Sequence, residues 1–461
     1  MADPRGARRF RATDSGGDRG TGVTPQRDAS GGATHAELGV LGAFSIGIGG
    51  IVGGGIFATL GLAGSQARGA TYVSFLIGGV LALLTAYSYL RLSIAYPGPG
   101  GTVTFLNRAF GNGLLAGWLN TLLVLSYVVI MALYAGAFAS YLVMLLPASA
   151  RDVSHPLLAP AIVALLGAAN LLGPGLVERT EGVFNAAKLA ILLFFVVAGL
   201  ASPSLTLARL GPASWVSPLD IAGCGMLIFL SYEGFELIAN ASDRVRDPRR
   251  TLPLAYYGSI LSAMTLYALI VVVAIGHLSF EALDAAQDHS VAAAARSFLG
   301  GAGFVLMGVG AILATVSAIN ADFFGAGKLP VMLAAEGQMP RRYARERWGR
   351  HPAALIVLAA LAVLIARYAD LHAISSSASA GFLLVFAAVN AANAKLAAQT
   401  GSRRWISRLG AAACVCALGV MVAQILGHPE HWRSLGLMLG VALAPLLYEL
   451  AYRAIATRAP R

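Results

Sequence analysis

The sequence predicts an all-α integral membrane protein with about twelve transmembrane helices, and three observations support this prediction. The 461 residues are 57% hydrophobic and only 12% charged, whereas a soluble globular domain carries about 25% charged residues. Apolar stretches recur along the whole chain, and most approach the roughly 20 residues that a transmembrane helix needs. Backbone groups in lipid must be satisfied within a helix or a closed barrel, and the length of these stretches favours helices.

The predicted spans follow one another with short connections. They cover residues 38–62, 70–94, 114–146, 157–173, 182–201, 217–241, 252–276, 302–326, 353–368, 372–394, 409–427 and 434–452. The third span is too long for a perpendicular crossing, so we expect it to tilt or to protrude. Residues 1–36 are rich in Gly, Arg, Asp, Ser and Thr, which predicts a disordered tail. Residues 456–461 form a second, short tail.

The net charge is +11, and the basic residues are distributed along the chain as in a membrane protein of defined topology. With the N-terminus inside, the predicted inner segments hold 26 Lys and Arg residues and the outer loops hold six. This asymmetry follows the positive-inside rule and predicts a multi-pass protein of the cell membrane with both termini in the cytoplasm. Nucleic-acid binding would need a folded basic face, and none is evident, so we expect the lipid bilayer and no nucleic acid as partner.

Spans 1 and 6 contain interruptions. Span 1 includes the run Gly-Ile-Gly-Gly-Ile-Val-Gly-Gly-Gly over residues 47–55, and span 6 includes Ser-Tyr-Glu-Gly-Phe-Glu over residues 231–236. The glycines also fit close helix packing through GxxxG pairs, but three consecutive glycines exceed what packing needs. Interrupted helices at corresponding positions of two halves indicate a transporter binding site between inverted repeats. We therefore expect spans 1 and 6 to be unwound at mid-membrane.

Several short motifs resemble those of the amino acid–polyamine–organocation (APC) superfamily. They stand in the right order across residues 53–340 and comprise Gly-Gly-Gly-Ile-Phe (53–57), Tyr-Pro-Gly-Pro-Gly-Gly (96–101), Phe-Gly-Asn-Gly (110–113) before Gly-Trp (117–118), Tyr-Glu-Gly-Phe-Glu (232–236), Val-Arg-Asp-Pro-Arg-Arg (245–250) before Leu-Pro (252–253), Ser-Ala-Ile-Asn (317–320) with Lys328, and Glu-Gly-Gln-Met-Pro (336–340). The resemblance implies a LeuT-type five-plus-five inverted repeat. Residues 37–455 would then form the transporter domain, with repeats over 37–202 and 217–395 and two further helices over 409–455.

The unwound segments suit an amino acid substrate. Span 1 runs outward, so its outer half would begin after the break with free N–H groups near Gly53, Gly54 and Gly55, which suit a carboxylate. The outer half of span 6 would end with free carbonyls around residues 229–231, which suit an α-ammonium. The resemblance implies the same arrangement. The expected substrate-binding residues are Gly53, Gly54, Gly55, Phe229, Leu230, Ser231, Tyr232, Glu233 and Gly234.

Lys188 lies within the otherwise apolar span 5. An ammonium at membrane depth costs roughly 3 kcal/mol on insertion scales, so we expect it to have a partner or a task. A lysine in the fifth helix makes the chain resemble the proton-coupled, broad-specificity prokaryotic amino acid transporters. That resemblance implies that the ammonium replaces a sodium ion and contacts the Gly49 carbonyl and the Ser317 hydroxyl. Protonated Lys188 would hold spans 1, 5 and 8 together, and its deprotonation would loosen the contact between them. The alternative is a static structural ammonium.

Two further acidic residues are predicted at or near membrane depth. Glu233 has three open roles: a hydrogen bond to the substrate amine, a proton carrier, or a cap on the inner half of span 6 with the help of Glu236. For Asp322 in span 8, a structural pairing with Lys328 is the favoured interpretation. Some relatives hold an aromatic gate at the position of Leu230, so the gating residue is open here.

Other chemistry is poorly supported. No metal-ligand spacing, nucleotide-binding loop or nucleophile motif occurs, so we expect no metal, cofactor or catalytic residue, and the cysteines are interpreted as packing residues. The sequence favours a proton-coupled amino acid symporter that works by alternating access, with the amino acid and the proton as partners. An amino acid exchanger and a polyamine or cationic amino acid carrier are the alternatives within transport. A non-transporting nutrient sensor and an intramembrane enzyme are the alternatives outside it.

Overall fold

A computed structural model describes residues 37–172, 175–286, 289–346, 351–428 and 431–458. The predicted tail over residues 1–36 lies outside these ranges. Every named element in the described ranges is helical, which confirms the all-α prediction. The helices are α1 Val40–Ile51, α2 Gly55–Ala67, α3 Thr71–Ala95, α4 Gly101–Phe110, α5 Leu114–Leu145, α6 Ala148–Leu172, α7 Gly175–Ala201, α8 Pro218–Leu227, α9 Pro248–His277, α10 Phe280–Ala285, α11 Ser290–Ala335, α12 Pro352–Tyr368, α13 Leu371–Lys395, α14 Ala397–Thr400, α15 Arg404–Gly427 and α16 Trp432–Arg458.

The helices describe a multi-pass membrane protein. Within the described residues, eight helices are long and apolar enough to cross a bilayer, and two bent pairs raise this number to ten. Two shorter apolar helices, Leu157–Leu172 and Pro352–Tyr368, lie where the fourth and ninth spans are predicted. The count of twelve spans and the inverted repeat therefore stay predictions.

The two bent pairs are the predicted broken spans. The α1 and α2 helices meet at an angle of 46°, and α8 meets the segment Phe229–Arg244 at 49°. Val52 ends α1 with φ −80° and ψ 61°, and the Gly53 N–H donates to the Ile51 carbonyl at 2.8 Å. This conformation is an inverse γ-turn, and α2 starts two residues later. In the second pair, two 3₁₀ helices, Phe229–Tyr232 and Phe235–Arg244, flank Gly234, which has φ +115°.

The α5 helix forms the centre of the bundle. In an apolar 18-residue stretch of α5, 89% of the residues are buried, against 28% in the equivalent stretches of α7, α15 and α16. It has 32 residues and is therefore about 48 Å long, longer than a perpendicular crossing requires. Two buried tyrosines of α5 reach the bent pairs: Tyr134 lies against Gly54, and the Tyr127 hydroxyl donates to Glu236.

A short cap covers one end of the α1–α2 pair. Arg68 follows α2 with φ +50°, and its Nη1 lies 2.9 Å from Oδ2 of Asp284 in α10. The Arg68 guanidinium also lies 5.5 Å from the Phe280 ring centroid. In the same region, a Cβ built on Gly64 would lie 2.4 Å from a methyl carbon of Leu283. The α10 helix is thus packed tightly against the end of α2.

Candidate substrate and coupling site

The breaks of the two bent pairs touch each other through glycine backbone. A Cβ built on Gly50 would lie 2.8 Å from the Gly234 carbonyl oxygen, and one built on Gly234 would lie 2.4 Å from the Gly50 carbonyl carbon. Real Cβ atoms do not approach backbone this closely, and the φ of Gly234 is itself left-handed, a region that favours glycine. Gly50 was not among the predicted site residues, although its position in the glycine run was a signal for it.

A second contact joins the start of α2 to the other break. A Cβ built on Gly55 would lie 3.0 Å from the Ser231 Cα, and the Thr59 and Ser231 hydroxyls are 3.0 Å apart. The structure therefore brings together the two groups of predicted substrate-binding residues. All nine are buried.

The predicted carboxylate-binding amides are only partly available. The Gly53 N–H already donates within the γ-turn. The amides of the first turn of α2, which begins at Gly55, have no acceptor inside their own helix because the preceding turn is missing. They retain the capacity to bind an anion. Tyr134 of α5 lies against this turn, since a Cβ built on Gly54 would be 2.7 Å from its ring.

Two of the three predicted ammonium-binding carbonyls, those of Leu230 and Ser231, have protein partners. The Leu230 carbonyl accepts the Glu233 N–H at 3.0 Å, and the Ser231 carbonyl accepts the Tyr267 hydroxyl at 3.2 Å. The same Tyr267 hydroxyl of α9 lies 2.7 Å from the Ile51 carbonyl and shares its one proton between the two acceptors, so it bridges both breaks. No sequence signal pointed to Tyr267, because a tyrosine in an apolar helix is ordinary.

Serines of the α13 helix form hydrogen bonds with the backbone groups at the end of α8. The hydroxyls of Ser375 and Ser379 donate to the Leu227 carbonyl at 3.1 and 2.8 Å, and the Ser379 oxygen accepts the Leu230 N–H at 3.2 Å. These bonds replace the helical hydrogen bonds that the break removes. The serine run 375–377 with Ser379, unusual in an apolar span, was a signal that sequence reasoning did not use.

The aromatic residues of the second break are packed in place. Phe229 lies edge-on against Phe386 of α13 with ring centroids 5.9 Å apart. The Tyr232 hydroxyl donates to the Phe75 carbonyl at 2.7 Å, and its ring lies 5.5 Å from that of Tyr267. Leu230 is fully buried. Phe229 and Tyr232 thus support the wall of the break.

The capping role considered for Glu233 is filled by Glu236. One Glu236 carboxylate oxygen accepts the Gly234 N–H at 2.8 Å, and the other accepts the Tyr127 hydroxyl at 2.8 Å. Glu233 is 4% exposed, and its Oε1 has no hydrogen-bond partner among the described residues. Asp322 of α11 is 6% exposed, and its Oδ2 is likewise unpartnered in the described part of the chain. The Nζ of Lys328 lies 3.6 Å from the Phe324 ring centroid.

Lys188 contacts the end of α1. It is 1% exposed, and its Nζ donates to the Gly49 carbonyl at 3.0 Å. An ammonium at a helix C-terminus also interacts favourably with the helix dipole. Asn185, one turn earlier in α7, packs on the same residue, because a Cβ built on Gly49 would lie 2.7 Å from its Nδ2.

The α11 helix passes beside the same break. Ser317 is buried in α11, and a Cβ built on Gly53 would lie 3.2 Å from the Cβ of the next residue, Ala318. Gly49 in α1, Lys188 in α7 and Ser317 in α11 therefore belong to three helices that meet at the end of α1. Within the described residues, no group of three or more His, Cys, Asp or Glu side chains is arranged to hold a metal ion.

Comparisons with known proteins agree with this architecture. A family model described as amino acid permease matches residues 38–438. The chain is 31% identical to the uncharacterized protein MJ0609 of Methanocaldococcus jannaschii over 92% of this chain and 97% of that protein. It is 34% identical to the inner membrane transport protein YbaT of Escherichia coli over 77% of this chain and 82% of YbaT. It is 27% identical to the chloroplastic cationic amino acid transporter 9 of Arabidopsis thaliana over 70% of this chain and 59% of that protein.

The family match spans most of the chain, including both breaks, Lys188 and Asp322. Membership in this family implies a transporter, rather than an enzyme, that is embedded in a membrane and has an amino acid substrate. The chain belongs to the amino acid permease family, within the APC superfamily that its motifs resemble.

Proposed function

We propose that this permease is a secondary active transporter that carries amino acids together with protons across the cell membrane by alternating access. The observation that carries the proposal is the position of Lys188, whose ammonium lies 3.0 Å from the Gly49 carbonyl at the helix end that leads into the break. A titratable group and a broken helix are thereby in direct contact, so protonation and substrate binding act on the same element.

The breaks supply complementary groups for a zwitterion. The open amides at the start of α2 and the positive end of its dipole suit the α-carboxylate. For the α-ammonium, the unpartnered Oε1 of Glu233 is a better acceptor than the carbonyls of Leu230 and Ser231, which already accept hydrogen bonds. Charge-assisted hydrogen bonds are also roughly twice as strong as neutral ones.

The coupling step assigns a proton to Lys188. When protonated, its ammonium holds α7 to the end of α1 through Gly49, and Ser317 of α11 completes the contact. Loss of the proton removes the charge, so the attraction to the Gly49 carbonyl and to the helix dipole weakens. The three helices can then separate on the side where the proton leaves. One proton enters with the substrate from outside and leaves inside, which is symport.

Reconstituted protein tests this function. We expect liposomes that contain the full chain to accumulate at least one radiolabelled amino acid from a panel of twenty when an inside-alkaline pH gradient is imposed, and a protonophore to abolish the accumulation. Protein-free liposomes are the control. Absence of uptake and of exchange for the whole panel would contradict the proposal.

Amino acid exchange is the second candidate, and cationic substrates are its variant. Glu233 favours a positively charged cargo, and one relative is named a cationic amino acid transporter. Counterflow separates exchange from symport. An exchanger requires amino acid inside the liposomes and accumulates label without a pH gradient, whereas a symporter accumulates label in empty liposomes only when the gradient is present.

A further inference from the structure

We propose that a pocket between α3, α9 and α14 binds the phosphate headgroup of an anionic phospholipid. The pocket has a volume of about 840 Å³, within the range of about 300–1,000 Å³ that is common for ligand pockets. It lies at the C-terminal end of α3 and the N-terminal end of α9, and both ends face the cytoplasm in the predicted topology. The pocket is separate from the two breaks, so this inference does not depend on the proposed function.

Two arginines line the pocket, and no acidic residue does among the described residues. Arg91 is half-buried one turn before the end of α3, and Arg249 is exposed in the first turn of α9. Neither guanidinium forms an ion pair with a described carboxylate, including that of Asp247 just before α9. The Arg91 guanidinium lies 5.8 Å from the ring centroid of Tyr87, which also lines the pocket. Because a guanidinium presents a planar fork of N–H donors that matches phosphate oxygens, the two charges suit a phosphate group.

Neutral donors complete the polar side of the pocket. The Gln399 oxygen accepts the Tyr96 hydroxyl, which leaves the two N–H donors of the Gln399 amide group. The Tyr87 hydroxyl accepts the Arg403 backbone N–H at 2.7 Å and keeps its own proton to donate. The bond to Arg403 also fixes the chain after α14 beside α3. Phosphate and glycerol oxygens in the pocket therefore have both charged and neutral donors.

Part of the pocket wall is apolar and extends along α3. Leu90, Ile94 and Pro253 line the pocket beside the arginines. From Tyr87 to Ala95, the last residue of α3, the helix rises about 12 Å. The headgroup region on one side of a bilayer is roughly 5–7 Å thick. A pocket of this depth therefore contacts the headgroup and also the first carbons of the acyl chains.

Exposed apolar residues lead from the pocket along the lipid-facing surface. Val80 lies two helical turns before Tyr87 on the same face of α3 and is 52% exposed. Leu254 and Leu261 flank Tyr257 of the pocket on one face of α9 and are 51% and 45% exposed. Acyl chains cover such a surface, whereas a soluble phosphate leaves it bare. The anionic lipids of the cytoplasmic leaflet thus match the pocket better than a free phosphate ion.

Matched lipids test the inference directly. Dioctanoyl phosphatidylglycerol and dioctanoyl phosphatidylcholine have the same acyl chains and differ in net headgroup charge. Each would be titrated into the purified full chain in a neutral detergent, and the rise in unfolding temperature would give its apparent affinity. We expect phosphatidylglycerol to bind more tightly than phosphatidylcholine. Deacylated phosphatidylglycerol, which keeps the phosphate and lacks the acyl chains, should stabilise the protein far less.

Two double variants assign the preference to the pocket. We expect Arg91→Gln with Arg249→Gln to reduce the ratio of phosphatidylglycerol to phosphatidylcholine affinity by about tenfold to a hundredfold, the range for loss of a hydrogen bond to a charged group. Arg341→Gln with Arg345→Gln makes the same change in net charge at exposed residues outside the pocket and should keep the ratio. A cooperative unfolding transition without added lipid shows that each variant is folded.

Three outcomes would overturn the proposal. A preference for phosphatidylglycerol that survives Arg91→Gln with Arg249→Gln would place the lipid elsewhere. Equal losses in the two double variants would show a general attraction of the basic surface. Equal stabilisation by the deacylated compound would identify a soluble phosphate as the occupant. Amino acid uptake is not measured in this experiment, so none of these results bears on the proposed function.

Discussion

At the scale of single residues, Lys188 is the strongest test of proton coupling. Lys188→Ala removes the ammonium that donates to the Gly49 carbonyl, and we expect the stimulation of uptake by a pH gradient to fall about tenfold to a hundredfold, as for loss of a charged hydrogen bond. Uptake would be measured in liposomes at several external pH values. Counterflow without a gradient should persist, because the substrate groups are intact.

A second lysine serves as the control for this variant. Lys395 is exposed at the end of α13, with its Nζ 5.6 Å from the Phe110 ring centroid, and Lys395→Ala should retain the full response to the gradient. A static structural role for Lys188 predicts a different result: Lys188→Ala would then lose stability and all transport together. Full gradient dependence in Lys188→Ala would refute coupling through this residue.

At the scale of elements, the contact between the two breaks depends on absent side chains. Gly234→Ala places a Cβ 2.4 Å from the Gly50 carbonyl carbon and forces a residue with a side chain into a left-handed conformation at φ +115°. Strained conformations of this kind cost about 1–3 kcal/mol, before the clash. We expect a lower thermal unfolding temperature and little or no uptake.

A helical glycine with free space is the matched control. Gly136 lies within α5, and apart from the neighbouring residues and backbone of its own helix no described atom lies within 4 Å of a Cβ built on it. Gly136→Ala should be neutral or should stabilise by up to about 1 kcal/mol, since alanine is the better helix former. Equal losses in both variants would show that the effect at Gly234 is a general consequence of adding a methyl group.

The tyrosine bridge between the breaks makes another prediction at this scale. Tyr267→Phe removes the hydroxyl that donates to the Ile51 and Ser231 carbonyls and keeps the ring. The Ile51 carbonyl keeps the Gly53 N–H as a donor, whereas the buried Ser231 carbonyl loses the Tyr267 hydroxyl. Loss of a donor to a buried acceptor costs about 1–3 kcal/mol, so we expect a lower unfolding temperature and slower uptake. Tyr87→Phe, outside the breaks, is the control. If Tyr267→Phe had the same unfolding temperature and uptake as the unaltered chain, the bridge would be refuted.

At the scale of the whole molecule, charge asymmetry predicts the orientation in the membrane. The 26 basic residues of the predicted inner segments should keep both termini in the cytoplasm. A fluorescent protein fused after Arg461 should therefore fluoresce in bacteria, and alkaline phosphatase fused there should be inactive. Fusions within the predicted outer loop at residues 202–216 should give the reverse pattern. Active phosphatase at the C-terminus would contradict the topology.

The breaks show how far prediction from the sequence extends. Glycine runs and polar residues in apolar spans mark both breaks, because a helix in lipid tolerates such interruptions only where it lines a site. The same reasoning predicted free carbonyls at Leu230 and Ser231, and this was incomplete. Their partners, Glu233 and Tyr267, include a residue from another helix, and no local pattern in the sequence identifies that partner.

The acidic residues show the same limit at the site itself. The sequence indicates that Glu233, Glu236 and Asp322 are too costly to bury without a reason, but it leaves their roles interchangeable. Tertiary packing assigns them: Tyr127 and the Gly234 amide reach Glu236 and leave one oxygen of Glu233 unpartnered. Hydrogen bonds between helices depend on which faces meet, and hydropathy does not encode those faces.

Composition, hydrophobic length and motif order were sufficient to identify a helical membrane permease with two interrupted helices and a buried lysine. These properties follow from the free-energy cost of placing backbone groups and charges in lipid. Each segment must offset that cost through its own length and internal hydrogen bonds, so the cost can be read from local sequence. The contact of Gly50 with Gly234, the Tyr267 bridge and the pairing of Lys188 with Gly49 emerge only in the folded bundle. They join residues distant in the chain, and side-chain and backbone geometry across helices determines which atoms come within hydrogen-bonding distance.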